Sequence, residues 1–259
     1  MIKNISILGS GWLGQPLAAT LVQQGYQLNL STRSQSKLNS LKSANIDVFI
    51  VDIAKLDAQT ADFLTADLLI INITSKDIVA FEALIKQLEQ STVKKVIFVS
   101  SSSVYLSNNQ VVSEDQQHEN SGSVLFQIEQ LFQQNSHFST TVIRLAGLIG
   151  PKRHPGRFFQ NDKVIKHADN PVNLVHLDDC LAIISVVIKQ QQWGQVFNAC
   201  ADNHPTKREF YKYASSSLGL PLPQCSPLES GDYKIVSNLK VKNILGYTFI
   251  HPDIMKIEY

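Results

Sequence analysis

A short apolar run, Ile5-Ser6-Ile7-Leu8, passes directly into Gly9-Ser10-Gly11-Trp12-Leu13-Gly14. From Leu13 to Gln24 the apolar residues Leu13, Leu17, Leu21 and Val22 then recur near helical spacing. The string fits G-x-G-x-x-G in its required setting, a turn that ends a first strand and opens a helix. Each glycine has its own task in such a turn. Gly9 permits the tight bend, Gly11 lets a diphosphate approach the backbone, and Gly14 lets the helix pack close to the strand. The helix N-terminus offers unpaired N–H groups to the phosphates. The same string also suits a plain glycine turn, so the remainder of the chain must choose between the two.

That remainder alternates strand-sized apolar runs with helical segments. Strands are expected over Gln27 to Thr32, Ile46 to Val51, Asp67 to Ile73, Val96 to Val99 and Thr140 to Ala146. Helices are expected over Ser34 to Ala44, Asp77 to Gln90, Val124 to Phe132 and Leu181 to Ile188. Continuous apolar strands separated by helices imply a parallel sheet covered on both faces. That is an α/β, Rossmann-type doubly wound fold. Of the nine prolines only Pro16 precedes Gly150, and beyond that point the alternation weakens. We expect residues 1–150 plus about 173–200 to form the nucleotide-binding domain, with about 151–172 and 201–259 forming a small substrate region.

Composition excludes several classes. The 259 residues carry a net charge of +1, with 44% hydrophobic and 17% charged side chains. Such a chain folds, and with no basic stripe it has no electrostatic footprint for nucleic acid. Cys180, Cys200 and Cys225 are odd in number and widely spaced. Reduced thiols are expected, with neither a disulfide framework nor a metal site. No signal-peptide core and no membrane-length run is present, so a cytoplasmic protein without a membrane partner is expected.

The nucleotide can be read from the end of the second strand, Asn29-Leu30-Ser31-Thr32-Arg33-Ser34. An acid there would hold a ribose 2′-hydroxyl and repel a 2′-phosphate by about 4 kcal/mol at close range. The strand ends instead on Arg33, which would attract that phosphate, with Thr32 and Ser34 as hydroxyl donors. NADP is therefore favoured, with NAD still admitted. A solvated surface arginine is the plainer alternative.

Later segments carry a resemblance. Phe98-Val99-Ser100-Ser101-Ser102-Ser103-Val104-Tyr105 resembles the serine run and Val-Tyr of the extended short-chain dehydrogenase/reductases. Arg144-Leu145-Ala146-Gly147-Leu148-Ile149-Gly150-Pro151 resembles their R-x-x-G-x-Y-G-P segment. Asn173-Leu174-Val175-His176-Leu177-Asp178-Asp179 resembles their N-x-x-H-x-x-D segment, and Val196-Phe197-Asn198 their last core strand. The order of the motifs is kept across nearly the whole chain. The sequence is thus similar to the NAD-dependent epimerase/dehydratase branch, in its atypical, YeeZ-like group.

The resemblance implies site residues. The segment Gly9, Ser10, Gly11, Trp12, Leu13 and Gly14 would bind the diphosphate. Asp52 and Ile53 would lie beside the adenine, and Ile73, Thr74 and Ser100 would line the cofactor. Leu145, Ala146, Gly147 and Leu148 would flank the nicotinamide. Ser101 takes the catalytic Ser/Thr place, with Tyr105 four residues on. Ser102, Arg153 and His154 would face a small-molecule substrate, with Arg153 or Arg157 able to clamp a phosphate or carboxylate. A homodimer is compatible with this group. His176 reads as a hydrogen-bonded structural residue, and Asp178 or Asp179 as a cap for a helix beginning near Cys180.

The pattern breaks at one place. The family's acid–base chemistry usually rests on Tyr-x-x-x-Lys, and here no tyrosine has a lysine four residues on. With Glu129 matched to the family's glutamate, Ser121 stands where tyrosine would and Leu125 where lysine would. General acid–base catalysis contributes about 10²–10⁴-fold, so another group must supply it or there is no turnover. Tyr105, Glu114, His118 and His154 are the candidates. Two readings follow: an NAD(P)-dependent oxidoreductase or epimerase acting on a small or nucleotide-sugar-like molecule, and a non-catalytic NADP(H)-binding sensor.

Overall fold

Leu68-Leu69-Ile70-Ile71 is buried at every residue, which suits the middle of a sheet covered on both faces. The computed structural model describes residues 2–161, 163–227 and 231–258. The first half contains β1 (Asn4–Leu8), α1 (Gly14–Gln23), β2 (Gln27–Thr32), α2 (Leu38–Leu41) and β3 (Ile46–Ile50). It continues through α3 (Ala58–Phe63), β4 (Leu68–Ile71), α4 (Ile78–Glu89), β5 (Lys95–Ser101) and β6 (Gln110–Val112). Then come α5 (Val124–Gln133), β7 (Ser139–Leu145), β8 (Gly147–Ile149), β9 (Leu174–His176) and α6 (Leu177–Gln190). The last elements are β10 (Val196–Ala199), α7 (Lys207–Ser216), β11 (Lys234–Val236) and α8 (Leu239–Leu245).

Seven strands form one sheet in the order β10-β7-β5-β4-β1-β2-β3. Pairs β1·β2, β2·β3, β1·β4 and β4·β5 run parallel, with Ile7 opposite both Leu30 and Ile70. The chain winds outward from β1 to β3, then crosses back to β4 and winds the other way. Right-handed crossovers in opposite directions place helices on opposite faces, which is the doubly wound arrangement expected. The reversal between β1 and β4 is the switch point where such folds bind ligands.

Contacts divide the chain into two units. The first comprises residues 1–100, 121–144 and 184–196. Its core interleaves Leu8, Leu69, Ile71, Val96, Phe98 and Val142 from the strands with Phe63, Phe81, Leu84, Ile128 and Phe132 from α3, α4 and α5. Phe98 and Phe132 stack at 5.3 Å between centroids. The second comprises residues 101–120, 145–183 and 197–259. Ile149, Val172, Leu174, Phe210, Ile254 and Ile257 form its core cluster. Two short parallel ribbons, β8·β9 and β6·β11, belong to it.

Two expectations need correction. The helix foreseen over Ser34 to Ala44 shrinks to a 3₁₀ turn over Gln35–Lys37 and the single turn α2. Neither buries a residue, and a short helix without packing is marginal in water. The helix foreseen near Cys180 begins at Leu177, so Asp178 and Asp179 lie inside its first turn and not at its cap. Asp179, fully buried, accepts the Tyr247 hydroxyl at 2.7 Å and the Ile250 and His251 N–H groups at 2.7 and 3.1 Å.

Candidate functional site

The glycine turn lies wholly in the first unit. Gly9 has φ +110°, and a Cβ there would overlap the carbonyl of Asn72 and press on Ile73. Its N–H donates to Ser31 Oγ at 2.9 Å, which ties the turn to β2. Gly14 opens α1, and a Cβ there would overlap the Gly9 carbonyl oxygen. At Gly11 an added Cβ would meet nothing within 4 Å. The protein's own backbone therefore demands two of the glycines, while the third faces open space. α1 carries neither a side-chain cap nor an acid in its first turn, so its positive end is unopposed. Gln15 Nε2 donates to the Ser10 carbonyl at 2.9 Å and braces the loop; Ser10 and Leu13 are buried and Trp12 half-buried. This cradle suits a dinucleotide diphosphate.

At the end of β2, buried Thr32 accepts the Ser34 N–H at 3.1 Å, and the Ser34 and Ser36 hydroxyls lie 2.8 Å apart. Arg33 stands exposed between them. After β3, Asp52 accepts the Ala54 N–H at 3.1 Å and shapes a turn, while Ile53 joins the core cluster. Ile73 sits against Gly9, and Thr74 is exposed.

The Ser100 hydroxyl at the end of β5 donates to Glu129 on α5. Glu129 also receives Arg144 of β7, Nη2 to Oε2 at 2.7 Å and Nε at 3.1 and 3.2 Å. Both charged side chains are buried, and the forked pairing satisfies the carboxylate that burial would otherwise penalise. Near the start of α5, Leu125 packs against the core cluster. Ser121 is exposed, and Ser123 caps the helix through the Phe126 N–H.

In the second unit a different group assembles around Asn198. Tyr105, 2% exposed, donates its hydroxyl to Asn198 Oδ1 at 2.9 Å. The Asn198 N–H donates to Glu114 Oε1 at 2.6 Å, and its Nδ2 to the Ser237 carbonyl at 3.1 Å. Lys234 Nζ donates to the Tyr105 carbonyl at 2.5 Å. Burial raises the Glu114 pKa and lowers that of Lys234, in both cases toward the neutral form. Glu114 also borders a cavity of about 450 Å³, together with Ser113, Gln116, Ser237, Lys240 and Asn243.

The other candidates in this unit hold local structure. Ser101 Oγ accepts the Ser103 N–H at 3.1 Å and caps the turn in which Ser102 is buried. Leu145 and Ala146 are buried, whereas Gly147 is exposed with its Cα close to Leu174. Arg153 Nε donates to the Leu148 carbonyl at 2.8 Å, and its guanidinium lies 5.8 Å from the Phe158 ring centre. His154 Nδ1 accepts the Gly156 N–H at 3.0 Å; burial, then the charge of Arg157, lowers its pKa. His118 Nε2 lies 3.2 Å from Gln110 Nε2.

The structure thus brings Tyr105 and Glu114 onto the same asparagine, Asn198, and Arg153 onto Leu148. Sequence reasoning passed over Ser31, Asn72, Lys234 and the pairing of Ser100 with Glu129. Ser100 and Glu129 each entered the sequence reading through the resemblance, but not as a pair.

The sequence pattern of a family described as NAD(P)H-binding matches residues 9–173. The chain is 33% identical over 268 residues to Protein YeeZ of Escherichia coli K12, covering 97% of each. A Silicibacter pomeroyi structure of a conserved protein of unknown function superposes with TM-score 0.82 at 20% identity, over 98% of this chain and 96% of that one. A Bacillus cereus UDP-glucuronic acid 4-epimerase in complex with UDP-glucuronic acid and NAD gives 0.79 at 17%, over 97% and 95%. At such identities the structural likeness shows the fold alone.

Proposed function

This chain belongs to the NAD(P)H-binding family, and we propose that it is an NADP-dependent oxidoreductase or epimerase acting on a small or nucleotide-sugar-like molecule. The observation that carries the cofactor choice is the end of β2, where Arg33 stands exposed with no carboxylate beside it in sequence. Gly9 to Gly14 hold the diphosphate, and Thr32, Arg33 and Ser34 hold the 2′-phosphate. Asp52, Ile53, Ile73, Thr74 and Ser100 serve the same nucleotide, with Leu145 to Leu148 at its nicotinamide end. When bound, the cofactor supplies or accepts a hydride.

Proton work is assigned to Ser101 and Tyr105, and substrate contact to Ser102, Arg153 and His154. Tyr105 donates to Asn198, so releasing its proton requires that bond to rearrange. Glu114, held toward its neutral form by burial, accepts the backbone N–H of the same asparagine. The UDP-sugar in the Bacillus cereus structure supports the substrate class. A second reading, an NADP(H) sensor without turnover, is favoured by the absence of any tyrosine with a lysine four residues on.

Calorimetric titration with NADPH and NADH, on the wild type and on Arg33→Ala, tests the cofactor. Tight NADPH binding that weakens in the variant while NADH is little affected supports the 2′-phosphate reading. Binding of neither nucleotide refutes the whole assignment. Loss of absorbance at 340 nm with carbonyl substrates, slowed in Ser101→Ala, supports the enzyme; NADPH binding with no turnover supports the sensor.

A further inference from the structure

Two histidines and a carboxylate from distant parts of the sequence meet where β9 ends and α6 begins. His176 closes β9, Asp178 lies in the first turn of α6, and His251 comes from the C-terminal segment. Asp178 Oδ2 lies 3.0 Å from His251 Nε2 and 3.3 Å from His176 Nδ1. The two imidazole rings are 4.0 Å apart between centroids. All three polar atoms fall within 4.8 Å of one another.

The surroundings hold this arrangement in place. Asp179 anchors the segment that carries His251 by accepting its backbone N–H and that of Ile250. Gly150 lies beside the far side of the His176 ring, where a Cβ would come 3.1 Å from Nε2. The near side, Nδ1, accepts the Asp178 N–H at 3.2 Å and so presents a lone pair. The carboxylate oxygen 3.3 Å away also presents lone pairs. Two electron-rich atoms therefore face each other, and the His251 ring can place only one proton among them. A cation at their centre would satisfy all three.

We propose that His176 Nδ1, Asp178 Oδ2 and His251 Nε2 bind a divalent transition-metal ion of the zinc type. Imidazole nitrogens with one carboxylate suit Zn²⁺, Co²⁺ or Ni²⁺ and disfavour the hard cations Mg²⁺ and Ca²⁺. Tetrahedral ligands with bonds of about 2.0–2.1 Å stand about 3.3–3.4 Å apart, close to the spacing of the two pairs measured here. The Asp178 side chain is 49% exposed, which gives the ion a route in and leaves a coordination position for solvent. The ion replaces the Asp178 N–H as partner of His176 Nδ1 and the proton between His251 and Asp178. No cysteine takes part, so the cysteine spacing could not reveal the site. Bound there, the ion ties the C-terminal segment to the β9–α6 junction.

The test uses the full chain, free of any affinity tag, with Zn²⁺ in calorimetry and Co²⁺ in visible absorption. One ion should bind per chain, with Co²⁺ ligand-field bands and no thiolate charge-transfer band. Loss of groups that merely support a metal ligand weakens affinity about 10–100-fold, so His251→Ala and Asp178→Asn should each weaken it at least that much. His137→Ala, at the exposed histidine near Glu89, should bind as the wild type. Should His251→Ala not fold, Asp178→Asn decides the matter, because its side chain is half exposed and keeps its size. No saturable binding, binding of unchanged strength in Asp178→Asn, or a thiolate band overturns the proposal.

Discussion

Adding one methyl group at Gly11 and, separately, at Gly14 should divide nucleotide binding from folding. At Gly11 the new carbon meets nothing within 4 Å, and the residue is not among the glycines with positive φ. Gly11→Ala should therefore leave stability unchanged or raise it by up to about 1 kcal/mol, through the reduced freedom of the unfolded chain. Its methyl would fill the space we assign to the diphosphate, so NADPH affinity should fall at least tenfold, about 1.4 kcal/mol. At Gly14 the methyl collides with the Gly9 carbonyl, which is backbone and cannot rotate away. Relief requires α1 to move, and α1 buries Leu17, Ala18 and Leu21. Overpacking of this kind costs about 1–3 kcal/mol, which lowers the urea midpoint by roughly 1 M for a chain of ordinary m-value. Urea titration followed by circular dichroism, and calorimetry with NADPH, read the two effects. Wild-type NADPH affinity in Gly11→Ala would show that the nucleotide does not use this space. A wild-type midpoint in Gly14→Ala would show that the helix does not depend on the close approach.

Glu129→Gln leaves the buried Arg144 without its counter-charge and should cost about 3–5 kcal/mol in urea unfolding, whereas Glu129→Leu with Arg144→Met should lie closer to the wild type; a double variant worse than the single one refutes this. Burial raises the Glu114 pKa, so the native state holds its proton longer than the unfolded chain does. Its contribution is complete below the ordinary value of 4.5 and is lost as pH rises through the native value. Glu114→Gln should flatten that fall when urea midpoints are compared across pH 4–7; an unchanged slope counts against the assignment. Burial pushes the Cys200 thiol up to about 12 and raises that of Cys180 as well, while Cys225 is half-exposed. A thiol reagent at neutral pH should label one cysteine quickly and two only on unfolding, and three fast labels would contradict the burial.

Where one stretch of chain fixes its own environment, the sequence was legible. Leu68 to Ile71 is apolar without interruption and became a central strand, and the spacing of Gly9, Gly11 and Gly14 announced the turn. The helix over Ser34 to Ala44 failed because propensity without a buried face sustains only a turn or so. Thr206-Lys207-Arg208-Glu209 is a capping box and could have been read; Thr206 Oγ1 accepts the Glu209 N–H and Glu209 returns the bond. Other features had no local signature. β6 and β11 are three residues each and pair Val111 with Ile235, while Asn198 joins Glu114 and Ser237 across long sequence separations. Asp178 and Asp179 look interchangeable in sequence, yet one is half exposed and the other fully buried under three donors.

Asp179 also sets a timetable for synthesis. Strands β1 to β5, adjacent in the sheet, are all made by Ser101. The donors of Asp179 arrive much later, with Ile250 following it by 71 positions. At about 5–20 residues per second that is a delay of roughly 4–14 seconds. Throughout that interval the carboxylate lacks these three donors, so burying it at the start of α6 is costly. The first unit can begin to order on the ribosome, while the second waits for Tyr247 to His251. A chain interrupted before those residues would carry a lasting exposed flank, open to proteases and to aggregation.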